Sequence, residues 1–162
     1  LERIKTYKDF INEQLIEKRS AGLAIIWQGK ALLAHTTGRK FTTGYGIPKG
    51  GIDKNETELE AAIRETHEEV GIKVDQELID SNPHTFIVTS RKRKRNKIVT
   101  YFIVEIESLE QIGLNESKIP KSQLQLEEVN DARFLDRNSA SKVIMKSQIG
   151  LINTLVNKGL LK

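Results

Sequence analysis

Gly50-Gly51-Ile52-Asp53-Lys54-Asn55-Glu56-Thr57-Glu58-Leu59-Glu60 runs without a break into Ala61-Ala62-Ile63-Arg64-Glu65-Thr66-His67-Glu68-Glu69-Val70-Gly71-Ile72. The second half has the period of a helix. Thr57 is a good N-cap, Glu60 three residues on completes a capping box, and Gly71 supplies a left-handed stop. Between the caps, Leu59, Ala62, Ile63, Thr66 and Val70 recur at helical spacing and define a stripe to be buried. Glu65, Glu68 and Glu69 fall on a different stripe, three and four residues apart, and so become surface neighbours. Like charges at that spacing cost roughly 0.2–0.5 kcal/mol a pair, and the last turns of a helix disfavour anions. Arg64 and Lys73 offset part of this. Two readings follow: a solvated acidic face, or an oxygen cluster that a hard divalent cation such as magnesium or manganese would relieve.

The spacing around the cluster separates the two. Gly50, five residues, Glu56, seven residues, then Arg64-Glu65-Thr66-His67-Glu68-Glu69-Val70-Gly71-Ile72 resembles the Nudix hydrolase box, with every fixed position filled. Thr66 stands where an aliphatic residue is usual, and threonine still fits a packing position. The resemblance implies a Mg2+- or Mn2+-dependent hydrolase that cleaves a phosphoanhydride in a nucleoside diphosphate joined to another group. It implies Glu68 and Glu69 as the main metal ligands and Glu65 as a further ligand or proton acceptor. Gly50 would offer its backbone carbonyl, and Arg64 would orient Glu68 and so join Glu65 and Glu68 in the catalytic set. Glu56 would fix the loop against the helix. Asn55, where glycine is common, tolerates a left-handed backbone. Glu128, ahead of the run Val129 to Phe134, is an additional ligand or base, or else a plain surface residue.

Upstream, Ile47-Pro48-Lys49-Gly50 resembles the version of the box in dinucleoside polyphosphate and diphosphoinositol polyphosphate hydrolases. Lys49 then offers a point charge to phosphate. Tyr45 stands where family members often carry a ring, so it either stacks on a base or packs in the core. Downstream, Arg91-Lys92-Arg93-Lys94-Arg95-Asn96-Lys97 puts six positive charges in seven positions. The chain carries +4 overall, so the remainder is slightly acidic and the basic run is a local feature. Arg91, Arg93 and Arg95 are substrate contacts if the run meets a polyanion, or a solvated turn if it does not. Phosphate-rich partners include nucleotides, inositol pyrophosphates and RNA with a 5′ triphosphate. No interleaved aromatics suggest a platform for single strands. The first functional expectation is a dinucleoside polyphosphate hydrolase, then a diphosphoinositol polyphosphate or RNA 5′-pyrophosphate hydrolase. A non-catalytic module that binds nucleotide or RNA is the alternative from another class.

Outside this region the chain reads as one α+β layered domain over 1–162, a Nudix-like α/β/α sandwich with a mixed sheet between helices. Thr6 to Arg19 is expected as an amphipathic helix and Ser139 to Lys158 as a final helix, interrupted at Gly150. Ala21 to Trp27 and Ala31 to His35 read as strands joined by a Gln28-Gly29-Lys30 turn. Thr36 to Gly46 reads as a loop, and Phe86 to Ser90, Ile98 to Ile106 and Val129 to Leu135 as strands. At 162 residues, with 38% hydrophobic and 30% charged, the chain can bury a core without staples. Zero cysteines exclude disulfides, thiolate metal sites and a cysteine nucleophile. The longest apolar stretch, Ala21 to Trp27, is far too short to span a bilayer, so no membrane partner is expected. With no secretory pattern at its start, the chain is expected in the cytoplasm. His35, His67 and His84 lack zinc spacing, and oligomeric state is open.

Overall fold

The sheet is built on strands that read as continuous apolar runs because both of their faces are covered. The computed structural model describes the chain from residue 16 onward, except residues 91 and 93. Strands β1 (Ile16–Trp27), β2 (Lys30–Thr36), β3 (Tyr45–Gly46) and β4 (Lys49–Gly51) precede helix α1 (Glu58–Val70). Then come β5 (Ile79–Ser90), β6 (Arg95–Ile106), β7 (Val129–Leu135), α2 (Arg137–Val143) and α3 (Ile149–Asn157). Among the described residues the strands form one mixed sheet in the order β3-β2-β1-β6-β5, with β7 added on β2 and β4 on β1. The β1–β6 pairing is parallel from Ile16↔Arg95 to Trp27↔Ile106; the other pairings are antiparallel.

Side-chain alternation along these strands divides the core in two. Ala21, Leu23 and Ile25 of β1, with Phe102, Val104 and Ile106 of β6, pack on the α1 side with Ala61, Ala62 and Val70. Ala24, Ile26, Val99, Tyr101 and Ile103 point the other way, against Leu151, Ile152 and Leu155 of α3. The fold is therefore α+β, a mixed sheet with helices on both faces, as the sequence leads one to expect. The β1–β2 connection turns at Gln28 (φ 49°) and Gly29 (φ 73°), consecutive left-handed residues that match the twist of a two-residue hairpin.

Two expected helices are corrected. Residues 16–19 belong to β1, where they pair with Arg95 to Ile98, so the helix expected over Thr6 to Arg19 does not extend through them; the rest of that stretch lies outside the described residues. The last helix starts at Arg137 and breaks at Ile144–Gln148 rather than at Gly150. At the break, Ile144 turns extended and bridges Tyr45, and the Met145 N–H donates to the Tyr45 carbonyl at 2.9 Å. A tertiary strand contact overrides local helix preference. Strand β6 also starts earlier than expected, so Arg95, Asn96 and Lys97 are rungs of a ladder, not parts of a loop.

Among the described residues no helix is long and apolar enough to cross a membrane.

Candidate active site in the cleft beside the acidic helix

The local chemistry of α1 runs as its sequence requires. The Thr57 side chain accepts from the Glu60 N–H at 3.1 Å, and Glu60 accepts from the Thr57 N–H at 2.9 Å. Gly71 closes the helix in the left-handed region at φ 69°. Thr66 is fully buried; its hydroxyl donates to the Ala62 carbonyl at 2.8 Å, which lets it fill an aliphatic position without leaving a polar atom unsatisfied. Asn55 takes φ 68° in the loop ahead of the helix.

Arg64 ties that loop to the helix. Its Nε and Nη2 donate to the two Glu56 carboxylate oxygens at 2.7 and 3.0 Å, and Nη2 also reaches the Gly51 carbonyl at 2.8 Å. Nη1 donates to Glu65 at 2.8 Å and to Glu68 at 3.1 Å. The fork geometry is what arginine provides and lysine does not. The Arg64 hydrogen bonds hold Glu56 below the usual carboxylate range, and Glu56 also accepts from the Asp53 N–H at 2.9 Å. Arg64 thus bonds Glu68 through Nη1, while its two-pronged bond is to Glu56.

Glu65 lies directly under Gly50, where an added Cβ would collide with the Glu65 carboxyl group. This close approach is the reason for glycine there. Burial pushes Glu65 upward in pKa against the pull of Arg64. Glu69 is pushed further, up to about 8, first by burial and then by Glu65, with Lys49 acting in the opposite sense. Lys49 is itself pushed down by burial and held up by Glu69 and Glu65.

Glu69 and Lys49 line a cleft of about 230 Å³ with Glu128, Arg39, Lys97, Ser147 and Gln148. Glu128 is brought there because Gln125 donates from its N–H to the Glu69 carbonyl at 3.0 Å and Glu128 in turn donates to the Gln125 carbonyl at 2.8 Å. Glu68 sits on the outer shoulder of α1, its side chain 48% exposed. Among the described residues no three His, Asp or Glu side chains converge tightly enough to enclose an ion. The donor set still suits one: oxygens only, two carboxylates desolvated beside each other, and a backbone held close by glycine.

The profile of the family described as NUDIX domain matches residues 17–147. The chain belongs to the NUDIX family. It is 44% identical over 50 residues to the mRNA decapping complex subunit 2 of Schizosaccharomyces pombe, covering 31% of this chain and 6% of that protein. It is 40% identical over 60 residues to the asymmetrical bis(5′-nucleosyl)-tetraphosphatase of Rattus norvegicus, covering 37% of this chain and 40% of that one. The matched stretches thus span well under half of these relatives. In fold it is similar to a C. elegans Ap4A hydrolase binary complex, with a TM-score of 0.63 and 21% identity over 88% of this chain and 97% of the other.

Other expected contacts of this NUDIX domain fall in different places. Tyr45 is buried in the α3-side core, and its hydroxyl donates to Asp131 at 2.6 Å, so its ring does not wall the cleft. Burial first, then Asp131, pushes the Tyr45 pKa up to about 12. Arg95 lines a second hollow of about 150 Å³ that shares Lys49, Lys97 and Ser147 with the cleft. Arg91 and Arg93 lie outside the described residues. The sequence reading missed Arg39, Ser147 and Gln148, which carry no motif and reach the cleft from the β2–β3 loop and the turn before α3.

Proposed function

We propose that this NUDIX domain is a divalent-cation-dependent pyrophosphohydrolase that cleaves a phosphoanhydride in a nucleoside diphosphate-linked compound, with a dinucleoside polyphosphate as the first substrate. The observation that carries the reading is the meeting, in one cleft, of desolvated Glu69 with Lys49 and Glu128. Carboxylates and an ammonium serve opposite halves of one task there. The Gly50 carbonyl and the carboxylates of Glu65, Glu68, Glu69 and Glu128 are the groups that would hold the cation. When bound, such an ion lowers the pKa of water and neutralises charge on the leaving oxygen.

The chain's own residues do the positioning that phosphoryl transfer chiefly needs. Lys49 meets a phosphate oxygen as a point charge, Arg39 and Lys97 add positive potential at the cleft wall, and Arg64 keeps Glu65 and Glu68 in place. The names of the rat tetraphosphatase and the worm Ap4A hydrolase favour a dinucleoside polyphosphate. A second reading, RNA bearing 5′ phosphates, draws on the decapping relative and on Arg95 and Lys97 beside the cleft. An inositol pyrophosphate draws on the Pro48-Lys49-Gly50 sequence and, like RNA, on the positive charge of Arg95 and Lys97.

Phosphate release is to be followed on diadenosine tetraphosphate, 5′-triphosphorylated RNA, ADP-ribose and an inositol pyrophosphate, with magnesium, with EDTA, and with Glu69→Gln and Glu68→Gln. Metal-dependent turnover that falls at least a hundredfold in both variants is expected. Binding without turnover on all four would replace the enzyme by a nucleotide- or RNA-binding module.

A further inference from the structure

Gln148 carries a donor that the protein does not use. The residue is 1% exposed, and its Oε1 accepts from the Ile47 N–H at 2.7 Å. An N–H can be met only by the oxygen end of the amide, so this bond settles which way the carboxamide faces. The opposite end, Nε2, is buried and has no partner among the described residues. It lies against Gly46, where an added Cβ would stand 2.5 Å from Nε2 and 2.5 Å from the Met145 Cε. Gly46, Met145 and Gln148 all line the cleft that holds Lys49 and Glu69. A buried donor left open beside a ligand cleft calls for an acceptor. Met145, an unbranched and adaptable side chain, is its neighbour in the cleft wall.

The chemistry of that acceptor is narrowed by its surroundings. Phosphate oxygens entering the cleft meet Lys49, Arg39 and Lys97, so one neutral amide adds little for them. A neutral acceptor on a ring has no such competition. Space for a ring exists alongside: the hollow sharing Lys49, Lys97 and Ser147 with the cleft is walled by Phe86, Val88, Val99 and Tyr101. A planar heterocycle suits those walls, with its edge toward Ser147, which the hollow shares with the cleft that Gln148 lines. An inositol polyphosphate does not, because its puckered ring carries a hydroxyl or phosphate on every carbon and presents no flat apolar face to Phe86, Val88, Val99 and Tyr101.

We propose that Gln148 is a specificity-determining residue whose side-chain amide donates to a ring nitrogen or carbonyl of a nucleobase, and that the hollow beside it receives that base. The proposal deepens the hydrolase reading by naming the nucleotide as the recognised part of the substrate, and it rests on that reading for the cleft. Its test does not require turnover. Titration calorimetry with AMP, GMP, CMP, UMP and inorganic pyrophosphate is to be run on the wild type, Gln148→Met and Gln148→Glu.

The wild type should prefer one base over another by about tenfold. In Gln148→Met that preference should fall below about twofold while pyrophosphate affinity changes less than twofold. Gln148→Glu keeps an acceptor for the Ile47 N–H and removes the donor; it carries the same comparison if the methionine variant does not fold, with base preference again the readout. A wild type that binds all four monophosphates equally would overturn the proposal. So would variants that lose every nucleotide and pyrophosphate in parallel, since that marks a structural or charge effect. Failure of the hydrolase reading would show separately, as intact base preference without metal-dependent phosphate release.

Discussion

Single side chains in this protein hold positions that their chemical neighbours could not. Gly50 is the sharpest case. Gly50→Ala puts a methyl group into the Glu65 carboxyl, and overpacking of this kind costs roughly 1–3 kcal/mol. The expected outcome is a variant that stays folded in urea titrations but loses most of its phosphate-release activity, because the displaced group is one of the acidic set. Asp131 supplies a pH prediction away from the cleft. Its burial works to raise its pKa, but hydrogen bonds from Arg133 at 2.8 and 2.9 Å and from Tyr45 at 2.6 Å outweigh that and hold it below the ordinary value. A depressed carboxylate adds stability above its unfolded pKa of about 3.8 and loses it as pH falls through the lower, folded value. Asp131→Asn should therefore cost about 1–2 kcal/mol at pH 7, modest because Arg133 is partly exposed. The gap to wild type should close below about pH 3.8, read from urea midpoints at several pH values. Of the site residues, those in the box were legible because their roles are local: Asn55, Thr57, Glu60, Thr66 and Gly71 all act within a few positions of themselves. Gln148 was not legible. Its partner, Ile47, lies 101 residues earlier, and no short pattern encodes such a meeting.

At the scale of elements, the same contrast between local and distant causes explains which helices were read correctly. Helix α1 carries its own start and stop signals and sits where they put it. Thr57→Ala removes the side-chain half of its capping box and should lower stability by about 0.5–2 kcal/mol. Because the cap lies eight or more residues before Glu65 to Glu69, the turnover of the remaining folded enzyme should hardly change; thermal melts alongside saturating-substrate rates check both halves. The 16–19 stretch had no such signals, and pairing with β6 made it strand. The final helix fails at Ile144 and Met145 because Tyr45 recruits them as an extra rung. That break has a use. It ends α2 and sets the turn that carries Ser147 and Gln148 into the cleft wall, which a continuous helix would not do.

For the whole molecule, a sheet with helices on both faces keeps two cores apart. Leu23 belongs to the α1-side cluster and Leu155 to the α3-side cluster, and both are fully buried. Leu23→Ala and Leu155→Ala should each cost about 2–5 kcal/mol. Since the sheet separates them, the double variant should equal the total of the single ones within about 0.5 kcal/mol, measured by guanidinium titration. A large deviation would mean that the sheet transmits repacking from one face to the other.

The parallel ladder between β1 and β6 has a consequence in time as well as in space. It joins residue 16 to 95 and residue 27 to 106, a constant separation of 79 positions. No rung can form until a loop of that length has closed, and the entropy of closure is spent before any hydrogen bond returns it. Helix α1, lying inside the loop with both of its caps local, can flicker into shape within microseconds, whereas the ladder belongs with the non-local pairings that mature in milliseconds to seconds. During that interval the long apolar strands stand unpaired, and unpaired strand edges are what lets one chain pair with another.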